Sequence, residues 1–237
     1  MVERAITITI DGVGSYTLMA TPCDTMALAV GFALSEGLIS STRDINLLRC
    51  CDDDPSAIRM QLARVPDGLT ERNLIIASSC GMCGSANIEE TIAGLPNVGN
   101  SLRVPVALLL EALAEMKSRQ AIFERTGGTH AAALFSTDGT ILAFAEDIGR
   151  HNALDKVIGR CSLEEKPTAG CGAALSGRVS LELVLKASRA GIELIAAVSA
   201  PSSLAIDAAE RCGITLCGFV RGDRATAFTH ESRLLNT

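Results

Sequence analysis

The sequence predicts an α/β protein in two lobes, a β-rich first part followed by a partly parallel α/β part. Three observations lead there. Residues 5–10 and 15–20 alternate apolar and polar side chains around Asp11-Gly12-Val13-Gly14, the period of half-buried strands joined by a tight turn. Residues 179–220 repeat a helix, a glycine and a fully apolar strand, the pattern of parallel strands buried on both faces. The composition, 48 % hydrophobic and 20 % charged over 237 residues, suits a globular core, and with 3 % aromatics that core is aliphatic.

The elements follow in order. Thr21-Pro22 breaks the second strand. Asp24 is then placed to cap a helix that carries Met26, Leu28, Val30, Phe32, Ala33 and Leu34 to a C′ glycine at Gly37. Residues 45–51 and 58–64 read as a second hairpin around the acidic turn Asp52-Asp53-Asp54-Pro55. Residues 73–78 form a short apolar strand that delivers the chain to Ser79-Cys80-Gly81-Met82-Cys83-Gly84. Residues 81–101, rich in Gly, Ser and Asn, read as a mobile connector with at most one helical turn near 88–92.

Val104-Pro105 then opens a helix with leucines at 108, 109, 110 and 113, the entry to the second lobe. The predicted divisions are a β-rich lobe with one helix over 1–78, a loop and connector over 79–103, and an α/β lobe over 104–237. In that last lobe, residues 130–135 and 140–146 are strands joined by Thr137-Asp138-Gly139, and a helix runs from 150 to about 158. Helix 179–190 ends at Gly191 before strand 193–198, and helix 202–211 ends at Gly213 before strand 214–220.

Charge and cysteine usage narrow the function. A formal net charge of −6 and the lack of aromatics argue against a partner made of nucleic acid, which needs a basic face and stacking rings. No apolar run is long enough to cross a bilayer, so no membrane partner is expected. The N-terminus lacks the apolar stretch of a signal peptide, and nine cysteines then read as thiols in a reducing compartment. The expectation is a cytoplasmic protein.

The pair Cys80 and Cys83 has three common uses: half of a zinc site, a redox pair, or a nucleophilic thiol with a helper. A closed zinc site needs four ligands, and no second Cys-x-x-Cys is present: Cys50 and Cys51 are adjacent, while Cys161 and Cys171 are ten apart. His130 and His151 complete a site only if the fold brings them to the loop. Gly81, Met82 and Gly84 favour a flexible loop over the helix start of a thioredoxin-type pair. A flexible thiol suits a sulfur shuttle, because a thiolate that takes sulfane sulfur in one place must present it in another. A structural half-site stays open beside that reading. Cys23, Cys161, Cys212 and Cys217 read as small core residues.

A second constellation sits at strand ends. Strands 193–198 and 214–220 lead into Ser199-Ala200-Pro201-Ser202-Ser203 and Arg221-Gly222-Asp223-Arg224. Ligands of open α/β sheets bind at the carboxyl ends of strands, where helix N-termini and guanidinium groups suit phosphates. Helix capping by the serines and solvated arginines is the plainer alternative. Asp147-Ile148-Gly149-Arg150-His151-Asn152 packs an acid, a base and a histidine into one strand-to-helix junction, where Asp147 can serve as a cap. His130 and His151 could orient a ligand or lower a thiol pKa; His130 could equally be a satisfied core histidine.

Several blocks together resemble the FdhD family: Ser79-Cys80-Gly81-Met82-Cys83-Gly84, Thr126-Gly127-Gly128-Thr129-His130, residues 146–156, Ser176-Gly177-Arg178-Val179-Ser180, residues 198–205 and residues 218–224. They run in order along nearly the whole chain, with a shortened N-terminal lead-in. The resemblance implies a cytidine-deaminase-like α/β lobe with a smaller N-terminal lobe, assembled as a homodimer. It implies a sulfurtransferase that takes sulfur from a cysteine desulfurase. The acceptor would be the molybdenum cofactor, in its bis-molybdopterin guanine dinucleotide form, on its way to formate dehydrogenase. Cys80 would carry the persulfide and Cys83 would assist or relay. Phe219, Val220, Arg221, Gly222, Asp223 and Arg224 would bind that cofactor, with Ser199, Ser202, His130 and His151 around them. No permanent metal is expected, since the His-x-Glu and Pro-Cys-x-x-Cys signature of zinc deaminases is absent. The alternatives are a non-enzymatic cofactor chaperone, a zinc-dependent hydrolase and, more weakly, a disulfide reductase.

Overall fold

The computed structural model describes residues 1–65, 72–76 and 88–235. Cys80 and Cys83, with the loop that carries them, lie outside the described residues. Two sheets organise the chain as a two-lobed α/β fold. The first contains β1 (Arg4–Ile10), β2 (Gly14–Ala20), β3 (Ile45–Cys51), β4 (Asp54–Leu62) and β5 (Arg72–Ile76) in the order β3-β4-β1-β2-β5. β1 and β2 pair antiparallel from Arg4 opposite Ala20 to Ile10 opposite Gly14. Strict alternation turns Ile6, Ile8, Ile10, Leu18 and Ala20 to one buried face.

Helix α1 (Thr25–Ser35) covers that face, with Phe32 packed on Tyr16 at 5.1 Å between ring centroids. Residues 27–33 of α1 are buried without interruption, so it has no solvent stripe. Its far side packs on the second lobe, which explains the unbroken apolar run. Two expectations fail locally. Asp24 precedes α1 but has φ 52 and makes no side-chain cap; its carboxylate pairs with Arg160 at 2.6 Å. The second hairpin turns at Asp52 and Asp53, so Pro55 lies inside β4. It is tolerated there because β4 pairs with β1 only from Ala57 onward.

The chain then forms α2 (Ile88–Ala93), β6 (Val104–Pro105), α3 (Val106–Ser118) and α4 (Ala121–Thr126). The second sheet holds β7 (His130–Phe135), β8 (Ile141–Asp147), β9 (Gly172–Leu175), β10 (Leu194–Ala197), β11 (Thr215–Arg221) and β12 (Arg224–Thr229), in the order β12-β11-β10-β9-β7-β8. β9, β10 and β11 run parallel, whereas β7, β8 and β12 pair antiparallel. Helices α5 (Arg150–Leu163), α6 (Leu181–Arg189) and α7 (Ser203–Cys212) cover one face and α3 the other. Successive residues alternate between the two cores: Ile195 and Leu216 face α5–α7, while Leu194 and Cys217 face α3.

The tail closes the fold. β13 (Leu234–Leu235) pairs with β6, and buried Arg233 donates to Glu193 at 3.3 Å and to the Gly99 carbonyl at 2.6 Å. Glu193 in turn accepts from the amides of Ser101 and Leu102. Among the described residues no helix is long and apolar enough to cross a membrane.

Candidate functional site

The carboxyl ends of the parallel strands meet the start of β7 on the α3 side of the sheet and leave a cavity of about 590 Å³. Its floor is Ser176 after β9, Val198 after β10, and Val220, Arg221 and Gly222 at the β11–β12 turn. His130 enters from the first position of β7, behind Gly127, Gly128 and Thr129. Leu110, Leu113 and Met116 of α3 and Phe123 of α4 make the opposite wall, with Lys117 and Gln120 as its polar members. An apolar slot with a few convergent polar groups is the ordinary form of a small-molecule site, and its position obeys the strand-end rule.

Each predicted binding residue has a definite place, while the predicted catalytic pair Cys80 and Cys83 lies outside the described residues. Val220, Arg221, Gly222 and His130 line the cavity; Phe219, Asp223, Arg224, Ser199, Ser202 and His151 do not. Residues 221–224 form a hairpin turn into β12, with Gly222 at φ 62. Asp223 and Arg224 point to solvent, 3.7 Å apart and 94 % and 89 % exposed. Phe219 is left-handed at φ 53, 42 % exposed, and packs on Phe228 at 6.3 Å.

The two strand-end loops do touch, through backbone: the Phe219 amide donates to the Ser199 carbonyl at 3.2 Å. A Cβ on Gly218 would stand 2.8 Å from Pro201 Cδ, so only glycine lets the loops close this far. Ser202 accepts from the Ala205 amide at 3.2 Å and caps α7.

The histidines lie apart in role. His130 is half-buried, and burial, reinforced by Arg150 and Arg178, pushes its pKa below the ordinary histidine value against the pull of Asp147. A Cβ on Gly177 would come within 3.1 Å of His130 Nδ1, so the glycine permits the imidazole to lie against the chain. His151 sits in the first turn of α5, its Nε2 3.1 Å from Ser180 Oγ and 3.9 Å from Glu182.

Asp147 is not a helix cap in the predicted sense. Its carboxylate is fully buried and accepts from the Gly149 and Thr21 amides, from Asn152 Nδ2 at 2.9 Å and from Lys156 Nζ at 2.6 Å. This hub fixes the junction ahead of His151 and ties it to the first lobe.

Burial restricts the chemistry of four of the described cysteines. Cys161, Cys171, Cys212 and Cys217 are buried, and burial raises each thiol pKa, Cys161 to about 11 and Cys217 to about 12. None of the four forms a thiolate readily at neutral pH. Cys23, expected in the core, is exposed instead, while Thr21 takes the buried side of the turn; its sulfur lies 3.6 Å from Lys156 Nζ. Among the described residues no group of three or more His, Cys, Asp or Glu could hold a metal ion.

Sequence reading missed the α3 wall, α4 and Ser176. The leucines of α3 were legible only as core. The paired glycines at 127 and 128 were the available signal for a close-approach wall.

Comparison with known proteins agrees with this architecture. The profile of the FdhD/NarQ family matches residues 1–235. The sulfur carrier protein FdhD of Streptomyces coelicolor is 39 % identical over 246 residues, covering 98 % of this chain and 87 % of that protein. The protein of the same name from Saccharolobus solfataricus is 38 % identical over 218 residues, covering 92 % and 82 %. A crystal structure from Desulfotalea psychrophila, described as that of a formate dehydrogenase accessory protein, superposes with a TM-score of 0.78. It is 25 % identical, over 99 % of this chain and 90 % of that one. The chain belongs to the FdhD/NarQ family.

Proposed function

We propose that this protein is a cytoplasmic sulfur carrier that loads the molybdenum cofactor destined for a formate dehydrogenase. The cavity carries the reading: an apolar slot lined by Arg221 and His130 among its polar groups, at the carboxyl edge of parallel strands, in a chain akin to named sulfur carriers. The slot would offer apolar walls to a guanine or pterin ring and a guanidinium to its phosphates.

In this reading Cys80 thiolate attacks the outer sulfur of a cysteine desulfurase persulfide. The new sulfur–sulfur bond forms on Cys80, the donor's bond breaks, and the donor leaves as a thiolate, with no net change in oxidation. Cys83 relays the sulfur by the same exchange. On transfer to the reduced, Mo(IV) form of bis-molybdopterin guanine dinucleotide, the substrate, the metal would supply the two electrons that take the outer sulfur to sulfide and become Mo(VI), and the cysteine would depart as thiolate. The neutral imidazole of His130 and the guanidinium of Arg221 orient that substrate. A homodimer would present two such sites.

The test is the intact mass of the full chain after incubation with a cysteine desulfurase and cysteine, followed by peptide mapping. One added sulfur is expected on the Cys80 peptide, and Cys80→Ala should gain none while still binding guanosine diphosphate. Normal transfer by Cys80→Ala removes Cys80 from the mechanism. No added sulfur on the wild type favours a cofactor chaperone without transfer chemistry.

A further inference from the structure

Helix α4 forms one wall of the cavity, yet it has no buried residue of its own. A six-residue helix with so little packing is not stable by propensity. What holds it is one carboxylate. Glu146 on β8, only 7 % exposed, accepts from the Ile122 amide on Oε2 at 2.8 Å and from the Phe123 amide on Oε1 at 2.8 Å. Oε1 also accepts from the Thr129 hydroxyl at 2.8 Å. The same group therefore fastens both ends of the segment 121–129, since Thr129 follows the Gly127-Gly128 exit from α4 and precedes His130. Gly127, left-handed at φ 65, ends the helix, its amide donating to the Phe123 carbonyl at 2.6 Å.

We infer that Glu146 is a positioning residue, a latch that sets Phe123 and Thr129 in the cavity wall. The chemistry demands a carboxylate. The two amides address different oxygens, and a glutamine of the same shape can accept on one only, turning its NH₂ group toward the other N–H. With an amide left unsatisfied and the charge gone, the start of α4 loses its anchor. This deepens the proposed function, because it assigns the residue that shapes the nucleotide seat.

The experiment combines hydrogen exchange with calorimetric binding of guanosine diphosphate, on the full-length protein. Glu146→Gln should speed exchange over 121–129 by roughly tenfold while β8 and α5 keep their wild-type protection. It should also weaken guanosine diphosphate by roughly threefold to tenfold. Thr129→Val, which leaves the α4 amides bonded, should weaken the nucleotide without loosening 121–126, and Thr129→Ser should restore affinity. Exchange that rises evenly across the sheet makes Glu146 an ordinary core residue and overturns the latch. A loosened 121–129 segment with unchanged affinity overturns its link to the cavity. If the wild type fails to bind guanosine diphosphate, the nucleotide reading falls, and the exchange pattern alone still decides the latch.

Discussion

Lys156 Nζ lies 2.6 Å from Asp147 Oδ2, and neither side chain has any exposure to solvent. The ammonium also donates to the Thr21 carbonyl at 2.9 Å, so one buried pair joins α5 and β8 of the second lobe to the end of β2 in the first. A second buried pair, Lys186 with Asp155 at 3.0 Å, reaches Ser35 and Glu36 of the first lobe in the same way. Both buried pairs bridge the two lobes at this seam.

Replacing Lys156 with Met should destabilise the protein by about 3–5 kcal/mol, because Asp147 is left as an unpaired buried charge. Urea unfolding followed by circular dichroism measures the loss. The double variant Lys156→Met with Asp147→Leu should recover part of it, since removing both charges removes the desolvation cost.

Gly159 of α5 allows the helix crossing that carries both pairs. A Cβ there would stand 1.9 Å from the Ala27 carbonyl oxygen of α1, a backbone atom that cannot step aside. Gly→Ala in a free helix stabilises by roughly 0.5–1 kcal/mol, so the sign of the effect is diagnostic. Gly159→Ala should instead destabilise by about 1–3 kcal/mol through overpacking. Thermal unfolding decides between the two signs.

The depressed pKa of His130 gives a pH prediction. The unfolded chain binds the proton at higher pH than the folded one. The stability tied to the neutral imidazole is therefore complete above the ordinary histidine pKa and is lost as pH falls through that value toward the folded one. Melting temperatures across this acidic window should fall more steeply for the wild type than for His130→Gln. Equal slopes would show that burial beside Arg150 and Arg178 does not disfavour the imidazolium.

Arg221 and Arg224 are two arginines three positions apart with different environments. Arg221 lines the cavity, while Arg224 is 89 % exposed beside Asp223. Arg221→Ala should weaken guanosine diphosphate by roughly tenfold, the scale of one charge-assisted contact, and Arg224→Ala much less. Titration calorimetry on both variants tests the ranking, and equal losses would move the phosphate seat out to the turn.

Some features were legible in the chain because they depend on near neighbours. Alternation placed β1 and β2, and the glycines at 37 and 213 ended their helices in left-handed geometry, φ 76 and φ 78. The apolar runs around 194–197 and 215–217 gave the parallel strands buried on both faces. Other features were illegible for equally physical reasons. β9 reads Gly-Ala-Ala-Leu, with no β-branched residue, and Gly172 is small because the Phe135 ring lies over it; a Cβ would meet that ring at 2.2 Å. β12 reads half polar because it is an edge strand, which leaves too weak an apolar signal to mark it.

The sequence by itself determined the lobes' chemistry: aliphatic cores, strand ends bearing arginine, a glycine-flanked thiol pair, and a family resemblance spread over the whole chain. Those follow from composition, period and local order. Tertiary structure alone decided which of these residues share one space. It set His130 and Arg221 on a common cavity, turned Arg224 and Ser202 away from it, exposed Cys23, and gave Glu146 its three partners. The reason is that such pairings join residues far apart in the chain, whose distance is fixed by sheet order and helix packing and by no local pattern.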